Sequence, residues 1–209
     1  MNGENIALFD LDGTLVDYDV RMLYDLYKIM SVVDREKLLN ERKTLEYLYY
    51  FERPEWLKRR IKVISNQTGW WESLERIDTG FRVLELAVEM GFDIHILTKG
   101  PTSKPSVWKE KVVWCNKHIP WDHKITITQE KGLVYGKVLF DDYPGYIKEW
   151  LKWRPRGLVI MPKRPGPAQE RFKHPNVIKY DGYNPKSLEE VRRALFKVFE
   201  RKSQEELQL

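Results

Sequence analysis

Ile6-Ala7-Leu8-Phe9-Asp10-Leu11-Asp12-Gly13-Thr14-Leu15-Val16-Asp17 decides how the rest of this chain is read. An apolar run of strand length stops at two aspartates one residue apart, so a buried strand delivers carboxylates to its carboxyl end. In open α/β sheets that end is where ligands bind. Two carboxylates so close repel unless a cation or a shared proton intervenes, which calls for Mg²⁺ or a chemical role. Gly13 allows a sharp turn where a phosphate must approach the backbone.

An Asx-rich turn is the competing reading, because Asp-x-Asp-Gly is ordinary turn chemistry and also begins a calcium loop. A calcium loop needs an oxygen ligand at its fifth position and a bidentate Glu at its twelfth. Counted from Asp10, those places hold Thr14 and Arg21, so the calcium alternative fails on its twelfth ligand. The whole string resembles the first motif of the haloacid dehalogenase superfamily of phosphotransferases, hydrophobic residues leading into Asp-x-Asp-Gly-Thr-Leu, and it matches through Leu15.

With 209 residues and 42% hydrophobic content the chain can bury a full core, as one domain or one domain with an insertion. A balance of 36 basic against 31 acidic residues, spread along the chain, suits an anionic small substrate as well as weak nucleic-acid contact. The single Cys115 excludes an internal disulfide, and its neighbours Val112, Trp114 and Ile119 make it a small buried hydrophobe rather than a nucleophile. No charged-then-apolar leader or run of eighteen apolar residues is visible, so the expectation is a cytoplasmic protein without membrane contact.

Between Asp17 and Trp71 the period changes to three and four. Met22, Leu23, Leu26, Tyr27 and Met30 share one helical face, Leu38, Leu45, Leu48 and Tyr49 fit another, and Pro54 opens a third helix with Trp56, Leu57, Ile61 and Ile64. These helices read as a small cap or lid, returning through 65–69. The core then resumes with a helix from Thr79 to Met90 closed by Gly91, a strand Phe92–Leu97 ending at Thr98-Lys99-Gly100, and a helix from Ser106 to His118 carrying Val107, Trp108, Lys111, Val112, Trp114 and Cys115. A strand at Lys124–Thr128, the loop Gln129–Gly132 and a strand Lys137–Phe140 lead to a second acidic pair, Asp141-Asp142. A helix from Tyr146 to Trp153, a strand Gly157–Met161, a proline-rich loop Pro162–His174 and an edge strand Asn176–Tyr180 follow. The last helix, Ser187–Glu200, has Ser187 as its N-cap and Glu190 three residues on.

Strands alternating with helices predict an α/β fold, a Rossmann-like three-layer sandwich around a central, mostly parallel sheet, with a small helical cap inserted after the first strand. The expected boundaries are 1–16 with 76–209 for the core and 17–75 for the cap. Polar groups cluster at four strand ends or just beyond: Asp10/Asp12, Thr98, the loop holding Lys131, and Asp141/Asp142. In this order they resemble the four motifs of the haloacid dehalogenase superfamily. The resemblance implies that Asp10 attacks phosphorus and becomes an aspartyl-phosphate, that Asp12 serves as general acid and base, and that Thr98 and Lys131 stabilise the phosphoryl oxygens. It also implies Mg²⁺ held by Asp10, the backbone carbonyl of Asp12, and one or both of Asp141 and Asp142. Lys137, a rival for the lysine role, begins the fourth strand and sits too close to Asp141 to arrive from the loop.

More narrowly, the chain is similar to the 5'(3')-deoxyribonucleotidases. It shares Asp17-Tyr18 after the first motif, a helical cap before Gly69-Trp70-Trp71, and a lysine ten positions before a paired Asp-Asp. The similarity implies a nucleoside monophosphate substrate, with Tyr18, Trp70 and Trp71 lining a base pocket; the competing role for the two tryptophans is to staple the lid to the sheet. Lys99 stands where that family has a hydroxyl and Gln129 where it often has arginine, both placed to touch substrate. Another metabolite phosphatase is the nearest rival. A non-catalytic nucleic-acid module, suggested by Lys163, Arg164, Arg171, Lys173 and His174, is disfavoured because prolines interrupt those charges, which read as a solvated surface. A homodimer is left open.

Overall fold

The computed structural model describes residues 5–40, 54–164 and 167–201. Leu45, Leu48 and Tyr49, the side chain of Leu38 and the tail beyond Arg201 lie outside them. Six strands form one sheet: β1 (Ile6–Phe9), β2 (Asp93–Thr98), β3 (Lys124–Ile127), β4 (Val138–Phe140), β5 (Leu158–Pro162) and β6 (Val177–Tyr180). Their order is β3-β2-β1-β4-β5-β6, and every pairing is parallel. Fully apolar strands such as Ala7-Leu8-Phe9 fit a sheet covered on both faces. Period-two alternation sends Ala7, Phe9, Ile96 and Phe140 to one side, against α4 (Asp78–Glu89), α5 (Ser106–His118) and α8 (Pro185–Phe199). Leu8, Leu97, Leu139, Val159 and Met161 face the other side, against Ile147 and Trp150 of α6 (Pro144–Trp153).

The sequence leaves β1 through a tight reversal in which the Leu11 carbonyl accepts from the amides of Thr14, Leu15 and Val16. Gly13 has φ +80°, and a Cβ there would lie 2.7 Å from Asp142 Oδ2, so glycine is required by both backbone and space. Asp17 then caps α1 (Tyr18–Ile29) by accepting from the Val20 amide at 3.2 Å. Met22 and Leu26 of α1 are buried in the same apolar cluster as Leu57, Ile61 and Ile64 of α3 (Glu55–Ser65), and Asp34 of α2 (Val32–Asn40) pairs with Arg60 of α3 at 2.7 Å.

Several boundaries differ from expectation by a turn or less. Pro54 is the residue before α3 rather than inside it, its extended ψ of 149° preceding the helix. The last helix starts earlier: Asn184 caps it, accepting from the Lys186 amide, while Ser187 is turned back to accept from Asp181 N. Pro185 at the first helical turn outweighs the Ser-x-x-Glu pattern, because its φ is already helical. The proline-rich loop contains a short helix, α7 (Pro167–Arg171). No helix among the described residues is long and apolar enough to cross a membrane.

Close approach of backbone to backbone also dictates Gly80. Gly80 lies in the first turn of α4, where a Cβ would run into the backbone carbonyl of Thr14. Gly80→Ala therefore pushes α4 off the loop that follows β1; we expect a loss of roughly 1–3 kcal/mol, read as a lowered denaturant midpoint with an unchanged m-value.

Candidate active site

Register explains why the acidic groups meet. Phe9 pairs with Ile96 on one side and Phe140 on the other, so Asp10 emerges level with the ends of both neighbouring strands. Lys131, in the 3₁₀ turn Lys131–Leu133, reaches back to place its Nζ 2.8 Å from Asp10 Oδ1 and 2.7 Å from Asp141 Oδ2. The second oxygen of Asp141 accepts from the Tyr143 amide at 2.9 Å. Asp10, Asp141 and Asp142 are all buried and each offers an oxygen within 4.8 Å of the others, a hard-oxygen set that suits a divalent cation.

Asp12 lies beside this trio, its Oδ2 paired with Lys111 Nζ at 2.5 Å. The same ammonium donates to Thr98 Oγ1 at 3.0 Å and to the Lys99 carbonyl at 2.8 Å. Lys111 is thus the tie between the ends of β1 and β2. Its signal in the sequence is a lysine on the otherwise apolar face Val107, Lys111, Trp114, Cys115 of α5, where a cation is buried only if paired.

A cavity of about 360 Å³ opens over these groups, lined by Asp10, Asp12, Lys131 and Asp142 and by Tyr18, Trp71, Lys99, Tyr143 and Tyr146, with Asp19 at the wall. Tyr18 and Trp71 are stacked with centroids 5.3 Å apart, and Lys111 Nζ sits 4.7 Å from the Trp71 ring. The Tyr146 ring, also in the lining, lies beneath both Lys131 (4.8 Å) and Lys99 (5.2 Å). The adjacent Trp70 is placed differently. It is 3% exposed and its indole N–H donates to Asp25 at 2.8 Å, which makes it a core residue outside the lining. Gln129 is exposed and donates to the Gly100 carbonyl, also outside the lining. Lys137, the rival lysine, bonds Asn5 and the Arg201 carbonyl instead.

Arg164 corrects the reading of its loop as a solvated surface. Its side chain is 18% exposed and reaches inward to Asp19 Oδ2 (2.5 Å), Asp142 Oδ2 (3.3 Å) and the Gly13 carbonyl. Nothing local in Lys163-Arg164 separates the two: Lys163 stays 55% exposed beside Asp181.

Burial sets the protonation of the site. Desolvation raises Asp12 against the opposing pull of Lys111, and raises Asp142 well above the usual carboxylate range against Arg164. It also lifts Asp141 to about 6 despite Lys131, and Asp19 to about 6 despite Arg164. Burial alone would lower Lys131, but Asp10 and Asp141 reverse this and hold it above the ordinary lysine range. Cys115 is buried and its thiol is pushed up to about 12, so it plays no nucleophilic part.

The model of the family described as "5' nucleotidase, deoxy (Pyrimidine), cytosolic type C protein" matches residues 4–164. No curated protein matches the chain. Among solved structures, one from Lactobacillus delbrueckii subsp. bulgaricus, provisionally described as a phosphoglycolate phosphatase, is 12% identical over 92% of this chain and 98% of its own, with a TM-score of 0.56. A HAD family hydrolase from Deinococcus radiodurans R1, solved with bound phosphate and sodium, is 13% identical over 95% and 97% of the two chains, with a TM-score of 0.48. The first of these likenesses shows a shared fold.

The raised carboxylates give a pH dependence with a definite sign. Asp141 and Asp19 have folded-state values near 6 against an ordinary 3.8, so across that window the native state holds more protons than the unfolded chain, and stability falls as pH rises. Metal-free protein is expected to gain stability between pH 7 and pH 5 from these groups. If the ionised native cluster holds a divalent cation, an added one such as Mg²⁺ should raise the melting temperature more at pH 7 than at pH 5; an equal rise at both would contradict the cluster as the binding site.

Proposed function

We propose, from the premise that the chain belongs to the deoxy (pyrimidine), cytosolic type C 5' nucleotidase family, that it is a Mg²⁺-dependent phosphomonoesterase acting on nucleoside monophosphates through an aspartyl-phosphate. It is a phosphoric monoester hydrolase of the haloacid dehalogenase type. The observation that carries the proposal is Lys131, buried between Asp10 and Asp141 with Asp12 and Thr98 alongside.

In this reading Asp10 attacks phosphorus, and the bond to the substrate's ester oxygen breaks as Asp12 gives that oxygen a proton. Burial raises Asp12, which suits a group that must carry a proton before it transfers one. Water then attacks the aspartyl-phosphate, Asp12 takes its proton, and the bond from phosphorus to Asp10 breaks to release inorganic phosphate. Lys131 and the Thr98 hydroxyl offset charge on the phosphoryl oxygens, and Lys111 keeps Asp12 and Thr98 in register. Asp10, Asp141, Asp142 and the Asp12 backbone carbonyl would hold Mg²⁺. When bound, the ion neutralises phosphoryl charge and orients the phosphate for in-line attack.

Residues 17–75 act as a cap over the core formed by 1–16 and 76–209. The stacked pair Tyr18 and Trp71, contributed by that segment, is the surface on which the nucleobase rests, worth ~1–3 kcal/mol per stacked base. Lys99 lines the cavity, where it meets the phosphate's remaining charge.

A release assay across nucleoside monophosphates and sugar phosphates, with and without Mg²⁺, tests this reading. Turnover of nucleotides that vanishes on chelation is expected, and Asp10→Asn should lose on the order of a thousandfold or more in kcat. Turnover confined to sugar phosphates would reject the nucleotide assignment, and an active Asp10→Asn would reject the mechanism.

A further inference from the structure

We propose that Arg164 is a positioning residue for the metal-holding side of the site, fixing the Asp142 carboxylate and joining it through Asp19 to the first turn of α1. This rests on the phosphatase reading above and adds to it a residue that touches neither substrate nor reacting atoms. The guanidinium spans three separate segments: Nε lies 3.3 Å from Asp142 Oδ2, Nη1 lies 2.5 Å from Asp19 Oδ2, and Nη2 donates to the Gly13 carbonyl. Its backbone is pinned as well. The Arg164 amide donates to Gln169 Oε1 at 2.8 Å, and Gln169 Nε2 donates to the Asp142 carbonyl at 2.8 Å, so side chain and main chain both close on Asp142.

A planar fork can donate to Asp19 and the Gly13 carbonyl while its Nε stands in ion-pair contact with Asp142; a lysine supplies one point of charge. The room is also fully used, since a Cβ on Gly13 would meet Asp142 Oδ2 at 2.7 Å and Arg164 Nη2 at 3.1 Å. Asp142 and Asp19 are 4% and 2% exposed. One guanidinium thus stands beside two buried carboxylates. The Asp142 carboxylate is therefore oriented by Arg164, and the orientation is anchored on α1, which carries Tyr18 of the cavity wall.

Partners of this kind, standing behind a metal ligand, change metal affinity about 10–100-fold when removed. Titration calorimetry of the full chain with Mn²⁺, without substrate, should show Arg164→Gln weakened within that range, and Arg164→Lys still several-fold weaker than the parent. Unchanged affinity in Arg164→Gln, even with a lowered melting temperature, would reduce Arg164 to a structural role and overturn the proposal. Tighter binding would overturn it too, by making the arginine a competitor of the ion. Should Arg164→Gln fail to fold, Asp19→Asn, which keeps an acceptor oxygen but not the charge, should weaken Mn²⁺ several-fold; parental affinity there would refute the link through Asp19. Asp142→Asn separates the two levels: if it loses Mn²⁺ while Arg164→Gln does not, only this inference fails, whereas an active Asp10→Asn defeats the phosphatase mechanism itself.

Discussion

Lys131 held between Asp10 and Asp141 is the contact on which the rest of the molecule depends. A carboxylate taken from water costs several kcal/mol even after relaxation. Five of them, Asp10, Asp12, Asp19, Asp141 and Asp142, crowd one sheet edge. Among the described residues, buried Lys111 and Lys131 and the partly buried Arg164 pair with them. A fold selected for stability alone would replace such a cluster with apolar side chains; this one retains it where a phosphate and its metal would sit.

The sheet makes that concentration possible. A parallel sheet aligns its carboxyl ends, and β1, in the interior between β2 and β4, brings Asp10 level with Asp141 and one residue short of Thr98. Gly13 and Gly80 let the loop after β1 pass close to Asp142 on one side and α4 on the other. Packing, backbone freedom and charge thus answer one requirement, a rigid acidic floor beneath an aromatic wall.

Much of this was legible in the sequence because the signals are local. An apolar run broken by carboxylates, a hydroxyl or a lysine reads as a strand end without any knowledge of distant residues, and all six strands lie close to where their periodicity put them. What was not legible is settled by distance along the chain. Lys111 meets Asp12 across 99 residues and Arg164 meets Asp19 across 145. Only the lysine left a trace, as a charge on an apolar helical face. Trp70 and Trp71 are chemically identical neighbours, and which one enters the cavity depends on Asp25 waiting for the indole N–H of the first. Asn184 took the cap from Ser187 because Pro185 starts the helix a turn early.

The most direct measurement of the central claim is to quench turnover of a nucleoside monophosphate in acid and locate the phosphoryl group on the chain by peptide mass spectrometry. The account predicts a modified peptide carrying the phosphoryl group on Asp10, formed only when Mg²⁺ is present. A phosphoryl group on any other residue, or steady turnover with Asp10 unmodified under conditions that preserve acyl phosphates, would contradict it.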